Sequence, residues 1–132
     1  MINKHSRIFL IFSGLLGTVS VAMGAAGAHA LHQTLLERHV VETYAKAVDY
    51  AMYAALSLLA IAVLQQLLPK ARLFFSGYFM LSGALLFSGS LFVYIFSGVK
   101  ALTMLTPVGG MLLIISWFLL VLLAIFDKNL RL

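Results

Sequence analysis

Residues 73–99 read LFFSGYFMLSGALLFSGSLFVYIFSGV, a stretch without one charged side chain. Three similar runs fill most of the remaining chain: Ile8–Leu31, Ala47–Leu68 (with Asp49 near its start) and Ala101–Phe126. Each run is at least 22 residues long, and an α-helix needs about 20 apolar residues to cross the hydrocarbon core of a bilayer. The sequence therefore predicts an all-α membrane protein with four transmembrane helices in a compact bundle.

The composition excludes a water-soluble fold. Hydrophobic residues make up 63% of the 132 residues and charged residues 10%, whereas soluble domains are about 45–50% apolar and about 25% charged. We expect one domain over residues 1–132, with spans at about 8–31, 48–68, 73–97 and 107–126. The chain contains no cysteine, which excludes disulfides and thiolate metal sites.

The net charge of +5 does not indicate nucleic-acid binding, because the basic residues stand in ones and twos at the ends of the apolar runs. With the N-terminus in the cytoplasm, six basic residues fall on the cytoplasmic side: Lys4, Arg7, Lys70, Arg72, Lys128 and Arg131. Three fall outside: Arg38, Lys46 and Lys100. This bias predicts that both termini are cytoplasmic.

The N-terminal region imitates a secretory signal peptide. Lys4 and Arg7 precede the first apolar run, and residues 26–28 and 28–30 both read Ala-x-Ala. The run is longer than the 7–15 residues typical of a signal peptide, and three more spans follow. We therefore expect the first helix to be retained.

Small residues mark one face of two spans. In the first span they recur at steps of three and four: Ser13, Gly17, Ser20, Gly24 and Ala28. In the third span they are seven residues apart: Ser76, Gly83, Ser90 and Ser97. Such faces let another helix approach closely. We expect the first face to pack against a neighbour rather than form a groove for lipid or substrate, and the third span to be the central helix.

The segment Leu36–Asp49 has the charge pattern of an amphipathic helix, with one narrow charged sector: Arg38, His39, Glu42, Lys46 and Asp49. We expect this helix to lie along the outer surface or to run directly into the second span with its charged stripe facing a polar cleft. Asp49 is expected to form a salt bridge with Lys46. The alternative is a proton or ion site, with Lys46 or Arg38 as partner.

The fourth helix is expected to begin at Thr106, with the threonine as N-cap and Pro107 in the first helical position. Gly109 and Gly110 would permit close packing in its first turn. Trp117 falls in the middle of this span. Its indole N–H is expected to donate to an acceptor on another helix, with a third-span serine as the obvious candidate.

His29 and His32 are three residues apart near the outer end of the first span, so the spacing places them on one helix face. We expect His29 to be partly buried and bonded to a neighbouring helix, and His32 to be interfacial. The alternative is a zinc or copper site completed by His39 or Glu42. Two histidines without a third fixed ligand are a weak metal signal, so no metal or cofactor is predicted.

Four motifs then occur in order: GAAGAHAL at 24–31, Glu42-Thr43 ahead of Met52-Tyr53, LFSGSL at 86–91 (with Ser88 and Ser90), and TPVGG at 106–110 followed by Trp117. In this order and spacing the chain resembles the domain of unknown function 423 family. That family includes the YgdD-type bacterial inner-membrane proteins and is similar to the animal transmembrane protein 256 type. The resemblance implies a small four-helix protein of the bacterial inner membrane, without an established activity or cofactor.

The chain departs from this family in the second span. The family pattern there is Tyr-Gln-x-Tyr-His-Ala-Leu, whereas residues 50–56 read YAMYAAL. Ala51 and Ala54 therefore stand where relatives have Gln and His. Any proton relay or metal site built on that histidine in relatives is missing from this chain.

The function suggested by the residues is non-enzymatic. No Ser/His/Asp set, phosphate loop or pair of mid-membrane carboxylates is visible, and the last two spans lack the ionisable groups that coupled transporters need. We expect an accessory or structural membrane component. The alternative is a homo-oligomeric channel or carrier for a small solute, with third-span serines such as Ser88 and Ser90 lining the pore. The expected partners are the lipid bilayer and either further copies of the chain or an unidentified membrane protein.

Overall fold

The computed structural model describes residues 1–130. Arg131, one of the six basic residues counted on the cytoplasmic side, lies outside the described residues. Five α-helices are present: α1 (Lys4–Ala28), α2 (His32–Glu37), α3 (Val41–Leu67), α4 (Leu73–Ser97) and α5 (Thr106–Phe126). Short 3-10 turns cover Lys100–Met104 and Lys128–Leu130. Helices α1, α3, α4 and α5 are long and apolar enough to cross a membrane. The prediction of an all-α membrane protein with four long helices is confirmed.

Helix α4 is the centre of the bundle, as predicted. It contacts α1, α3 and α5, whereas α1 packs mainly against α3. Within residues 1–130, α5 makes no close backbone contact with α1 or α3. The largest side chains that are less than 2% exposed fill the interior: Phe9, Leu58, Ile61, Met80 and Gln65. The bundle therefore has α3 and α4 inside and α1 and α5 at its two sides.

The small-residue face of α1 packs against α3. The Ser13 hydroxyl donates to the Ala55 carbonyl at 2.7 Å, and the Ser20 hydroxyl donates to the Val48 carbonyl at 2.8 Å. A Cβ added at Gly24 would lie 3.5 Å from the Val48 side chain, so these backbones are close together. This confirms the expected helix packing.

The small-residue seam of α4 faces α5 along most of its length. Ser76 contacts Ser116 of α5, and a Cβ added at Gly83 would lie 2.9 Å from the backbone nitrogen of Leu113. Ser97 does not belong to this contact. It is exposed and donates to the Val93 carbonyl of its own helix.

The amphipathic helix expected at Leu36–Asp49 is wrong as one continuous element. Helix α2 ends at Glu37, and His39 takes the left-handed conformation with φ 54°. The backbone N–H of Val40 then donates to the Leu35 carbonyl at 3.1 Å, and both side chains are buried together. This is a Schellman C-cap with its usual hydrophobic contact, and it reverses the chain before α3 begins.

Residues 41–49 instead form the first turns of α3, which runs without a break into the apolar region. This matches the second arrangement expected for the segment, a helix that continues directly into the second span. Glu42, Lys46 and Asp49 are exposed along these turns.

Candidate functional site

A groove opens between α3 and α5, because both helices pack on α4 and not on each other. Its volume is about 390 Å³. Residues from all three helices line it: Tyr50, Tyr53, Ala54, Met80, Phe87, Gly110, Leu113, Ile114 and Trp117. We call this feature the aromatic groove. Residues of three membrane-spanning helices thus meet in this groove.

The walls of the aromatic groove are aromatic rings. Tyr50 lies with its ring centroid 4.6 Å from that of Phe87 and 5.6 Å from that of Tyr53. Trp117 contributes to the lining from α5. Tyr53, Phe87 and Trp117 each lie within two residues of the middle of their helix. The groove therefore extends from Tyr50, which follows the exposed Asp49 near the start of the second span, to Trp117 at the middle of α5.

The polar atoms of these rings have no partner in the described part of the chain. Neither tyrosine hydroxyl nor the indole N–H of Trp117 makes a hydrogen bond within residues 1–130. Tyr50 is 40% exposed, and Tyr53 and Trp117 are each 56% exposed. Trp117 lies at the middle of an apolar spanning helix, where lipid offers hydrocarbon and no water.

The expectation that Trp117 donates to a third-span serine is wrong. Ser116, one residue earlier, makes the contact with α4 through Ser76. Successive residues point about 100° apart around a helix, so Trp117 is turned away from the serine seam and into the aromatic groove.

Ser90 and Thr106 join α4 to the start of α5. Their hydroxyl oxygens lie 2.6 Å apart, and Ser90 also donates to the Phe87 carbonyl at 3.0 Å. A serine has one hydroxyl proton, so the threonine is the donor of the pair. The expected N-cap role of Thr106 is wrong, because its side chain bonds to Ser90 and not to the first backbone N–H groups of α5. Pro107 lies in the first turn but is the second residue of α5, one position later than predicted.

Gly109 and Gly110 differ in their contacts. Gly109 is buried, and a Cβ added there would lie 2.9 Å from the Gly83 carbonyl and would overlap the Phe87 backbone. A Cβ at Gly110 would lie 3.7 Å from the Phe87 ring, an ordinary contact distance. Gly109 therefore sets the approach of the two helices, whereas a methyl group at Gly110 would fit against the Phe87 ring.

Ser88 is 2% exposed, and its hydroxyl has no hydrogen-bond partner within residues 1–130. It lies outside the groove lining. The structure thus brings Ser90, Thr106, Gly109 and Gly110 together around Phe87, and it separates Ser88 from them.

The histidines do not form the arrangement that the spacing suggested. Helix α1 ends at Ala28, so His29 lies in the turn that follows and His32 begins α2. Both are exposed, which contradicts the expected partial burial of His29. No group of three or more His, Asp or Glu side chains that could hold a metal ion occurs in residues 1–130.

Asp49 makes no ion pair with Lys46 or Arg38 in the described chain, so the expected salt bridge is absent. Asp49 and Lys46 are exposed on one helix, where an ion pair contributes little. Arg38 instead donates from Nη1 to the Ile95 carbonyl at 2.8 Å. This bond holds the turn between α2 and α3 on the end of α4.

Asp127 was not singled out by the sequence, although it follows the last apolar run. Its carboxylate accepts from the backbone N–H of Arg72 at 2.8 Å and from that of Asn129 at 2.9 Å. These bonds, the one from Arg72 first, lower the pKa of Asp127 below its ordinary value. The carboxylate thereby ties the end of α5 to the start of α4.

The ring-bearing residues Tyr50, Tyr53 and Phe87 were also missed. Two tyrosines three residues apart within an apolar span were the available signal, because phenol hydroxyls are unusual away from the membrane interface. Their meeting with Trp117 depends on the lateral order of the helices, which no local pattern records.

The comparisons agree with the fold. The family model described as "Protein of unknown function (DUF423)" matches residues 23–110. A UPF0382 membrane protein of Staphylococcus aureus is 35% identical over 115 residues, covering 87% of this chain and 93% of the relative. The UPF0382 membrane protein YwdK of Bacillus subtilis is 32% identical over 120 residues, covering 90% and 97%.

The UPF0382 inner membrane protein YgdD of Escherichia coli is 34% identical over 122 residues, covering 91% of each chain. No solved structure matches the protein. The extent of these matches confirms the resemblance drawn from the sequence motifs. The chain belongs to the DUF423 family, whose relatives here are UPF0382 membrane proteins.

Proposed function

We propose that the protein is a non-enzymatic, non-conducting accessory component of the bacterial inner membrane that assembles with another membrane protein. The observation that carries this proposal is the use of the hydroxyls between the helices. They close the interior of the bundle instead of lining a path through it.

Four serines illustrate this use: Ser13, Ser20, Ser76 and Ser116 each donate to a backbone carbonyl of a neighbouring helix. A hydroxyl that lines a water-filled pore would be free to exchange its partners with water and solute. The space between these contacts is filled by buried apolar side chains. This packing supports a helical scaffold rather than a channel within one copy of the chain.

The distribution of charge supports the same proposal. Helices α4 and α5 contain no Asp, Glu, Lys, Arg or His. Solute carriers and pumps commonly place ionisable groups at membrane depth, where they bind ions or relay protons. An accessory protein needs no such group.

The two outer helices present broad apolar faces. Only 17% of the spanning windows of α1 and α5 is buried, compared with 39% for α3 and 44% for α4. Large side chains such as Ile114, Phe118 and Val121 are more than half exposed on α5. These faces suit contact with lipid or with the helices of a partner.

We also propose that both termini are cytoplasmic. The start of α1, the turn between α3 and α4 and the end of α5 lie at one end of the bundle, where Asn3 bonds to Gln66 and Asp127 to Arg72. Lys4, Arg7 and Lys70 lie at that end, and positively charged ends of spans remain in the cytoplasm.

Native mass spectrometry of the protein, extracted with its surrounding membrane in polymer discs, tests the proposal. We expect a stoichiometric complex with a second membrane protein, and loss of that complex when Phe118→Ala and Val121→Ala are combined on α5. The matched control is Val19→Ala with Val21→Ala on the exposed face of α1.

The contrary result is a homo-oligomer without a protein partner that gives saturable solute flux in proteoliposomes. That outcome would establish the channel or carrier alternative.

A further inference from the structure

We infer that the aromatic groove binds a planar, lipid-soluble molecule with carbonyl acceptors, of the quinone class. This inference does not rest on the accessory role, because it concerns only the side chains of the groove. It follows from three features: unpaired donors, a stacking surface and a size suited to a small molecule.

The donors come first. The hydroxyls of Tyr50 and Tyr53 and the indole N–H of Trp117 face no acceptor within residues 1–130, and all three residues line the groove. An unpaired donor in hydrocarbon is unfavourable, because no water replaces the missing partner. An acyl chain supplies no acceptor, whereas a ring carbonyl does. The donor set therefore selects a ligand that brings oxygen acceptors into the membrane interior.

The stacking surface comes second. The Tyr50 and Phe87 rings are 4.6 Å apart and inclined by 40°, within the spacing at which aromatic rings attract one another. Tyr50 is 40% exposed, so a flat ring can stack on the open part of this pair, and Trp117 lies in the same lining on α5.

Size and access come third. A volume of about 390 Å³ falls within the range of roughly 300–1,000 Å³ found for small-molecule sites. The groove is open at its side, since Tyr53 and Trp117 are each more than half exposed. A head group could occupy the groove while an isoprenoid or alkyl tail remains in the bilayer.

Trp117 makes the inference directly testable, because it is the only tryptophan of the chain. The probe is decylubiquinone, titrated into the purified protein in lipid nanodiscs while tryptophan fluorescence is recorded. We expect saturable quenching at close to one quinone per protein. Tyr53→Phe keeps the ring and removes one donor, and it should weaken binding by roughly five- to tenfold, with helicity by circular dichroism unchanged.

The control places a tryptophan one residue away from Trp117, outside the groove. Phe118→Trp, with Trp117 retained, adds a tryptophan on the exposed face of α5, outside the groove lining. The quenching of the added tryptophan is the difference from the unchanged protein. Quenching there should be linear and non-saturable. A second control uses decylbenzene, which has the tail and a ring without carbonyls, and it should not displace the quinone.

Three results would overturn the inference: equal quenching at both tryptophan positions, no effect of Tyr53→Phe, or displacement by decylbenzene. The last result would assign the groove to acyl chains.

Discussion

Ser76 and Ser116 bind each other's main chain. The Ser76 hydroxyl donates to the Ser116 carbonyl at 2.9 Å, and the Ser116 hydroxyl donates to the Ser76 carbonyl at 2.8 Å. Both residues are fully buried. Each hydroxyl adds a bond to a carbonyl of the facing helix, so α4 and α5 are joined backbone to backbone at the level where small side chains let them meet.

This reciprocal pair predicts a coupled loss of stability. Ser76→Ala or Ser116→Ala alone should lower the free energy of unfolding by about 1 kcal/mol. The double variant should cost less than the sum of the two, because the first substitution already weakens the shared contact. Unfolding in mixed micelles measures the cycle, with Ser82→Ala, at an exposed position of α4, as control. Strict additivity would show that the two bonds are independent.

Gly109 and Gly110 provide a matched pair on α5. Gly109→Ala forces a Cβ into the Phe87 backbone, so we expect a loss of about 1–3 kcal/mol from overpacking. Gly110→Ala places its Cβ at ordinary contact distance from the Phe87 ring and should change stability by less than about 0.5 kcal/mol. Thermal unfolding monitored by circular dichroism compares them. Equal effects would contradict the close approach of α4 and α5 at Gly109.

Ser88 and Ser90 are predicted to respond in opposite directions. The Ser88 hydroxyl is buried without a partner, so Ser88→Ala removes an unsatisfied group and should be neutral or stabilising by up to about 1 kcal/mol. Ser90→Ala removes the partner of Thr106 and should destabilise by about 1 kcal/mol. The same unfolding assay tests both. A marked loss in Ser88→Ala would mean that its hydroxyl has a partner in the membrane.

The hydrogen bonds of Asp127 predict that the folded protein loses stability at low pH. Its pKa is lower in the folded protein than its ordinary value of 3.8, so the stabilisation from its bonds is complete above that value. The stabilisation is lost as the pH falls below 3.8 through the folded pKa. In unfolding measured as a function of pH, Asp127→Asn should reduce the loss of stability at low pH. Asp49→Asn, at an exposed carboxylate, should leave that loss unchanged. If the loss of stability at low pH were the same in Asp127→Asn, another group would be responsible for it.

Single cysteines test the proposed orientation, since the chain has none of its own. Ile2→Cys and Lys128→Cys lie at the end with the termini, and Ala101→Cys lies at the other end; all three positions are exposed. A membrane-impermeant maleimide added to spheroplasts should label only Ala101→Cys. Labelling of the other two positions instead would show that both termini lie outside the cytoplasm.

The helices and their small-residue seams could be predicted because they depend on local periodicity. The runs had the length of a membrane crossing, and Ser13, Ser20, Ser76 and Gly83 recur at helical steps. The break at His39 could not be predicted in the same way. Its left-handed C-cap is usually formed by glycine or asparagine, and the charge pattern continued unbroken across it.

The aromatic groove could not be predicted from the sequence for a different reason. It exists because α5 packs on α4 alone, and this lateral order is decided by tertiary contacts. Trp117 illustrates this difficulty. If α5 were rotated about its axis by one residue, Trp117 would take the place of Ser116. A span that is apolar all round therefore does not reveal which face meets its neighbour.

The pairing of the helices also bears on how the protein is made. Side-chain hydrogen bonds join α1 to α3 and α4 to α5, whereas none joins α3 to α4 within residues 1–130. The serine bonds between helices in the described chain thus lie within sequential pairs. During synthesis, the N-terminal half can leave the translocon as a finished unit before the C-terminal half has emerged from the ribosome. The final docking step then brings apolar surfaces together and adds two polar contacts, between His5 and Tyr78 and between Arg38 and the Ile95 carbonyl.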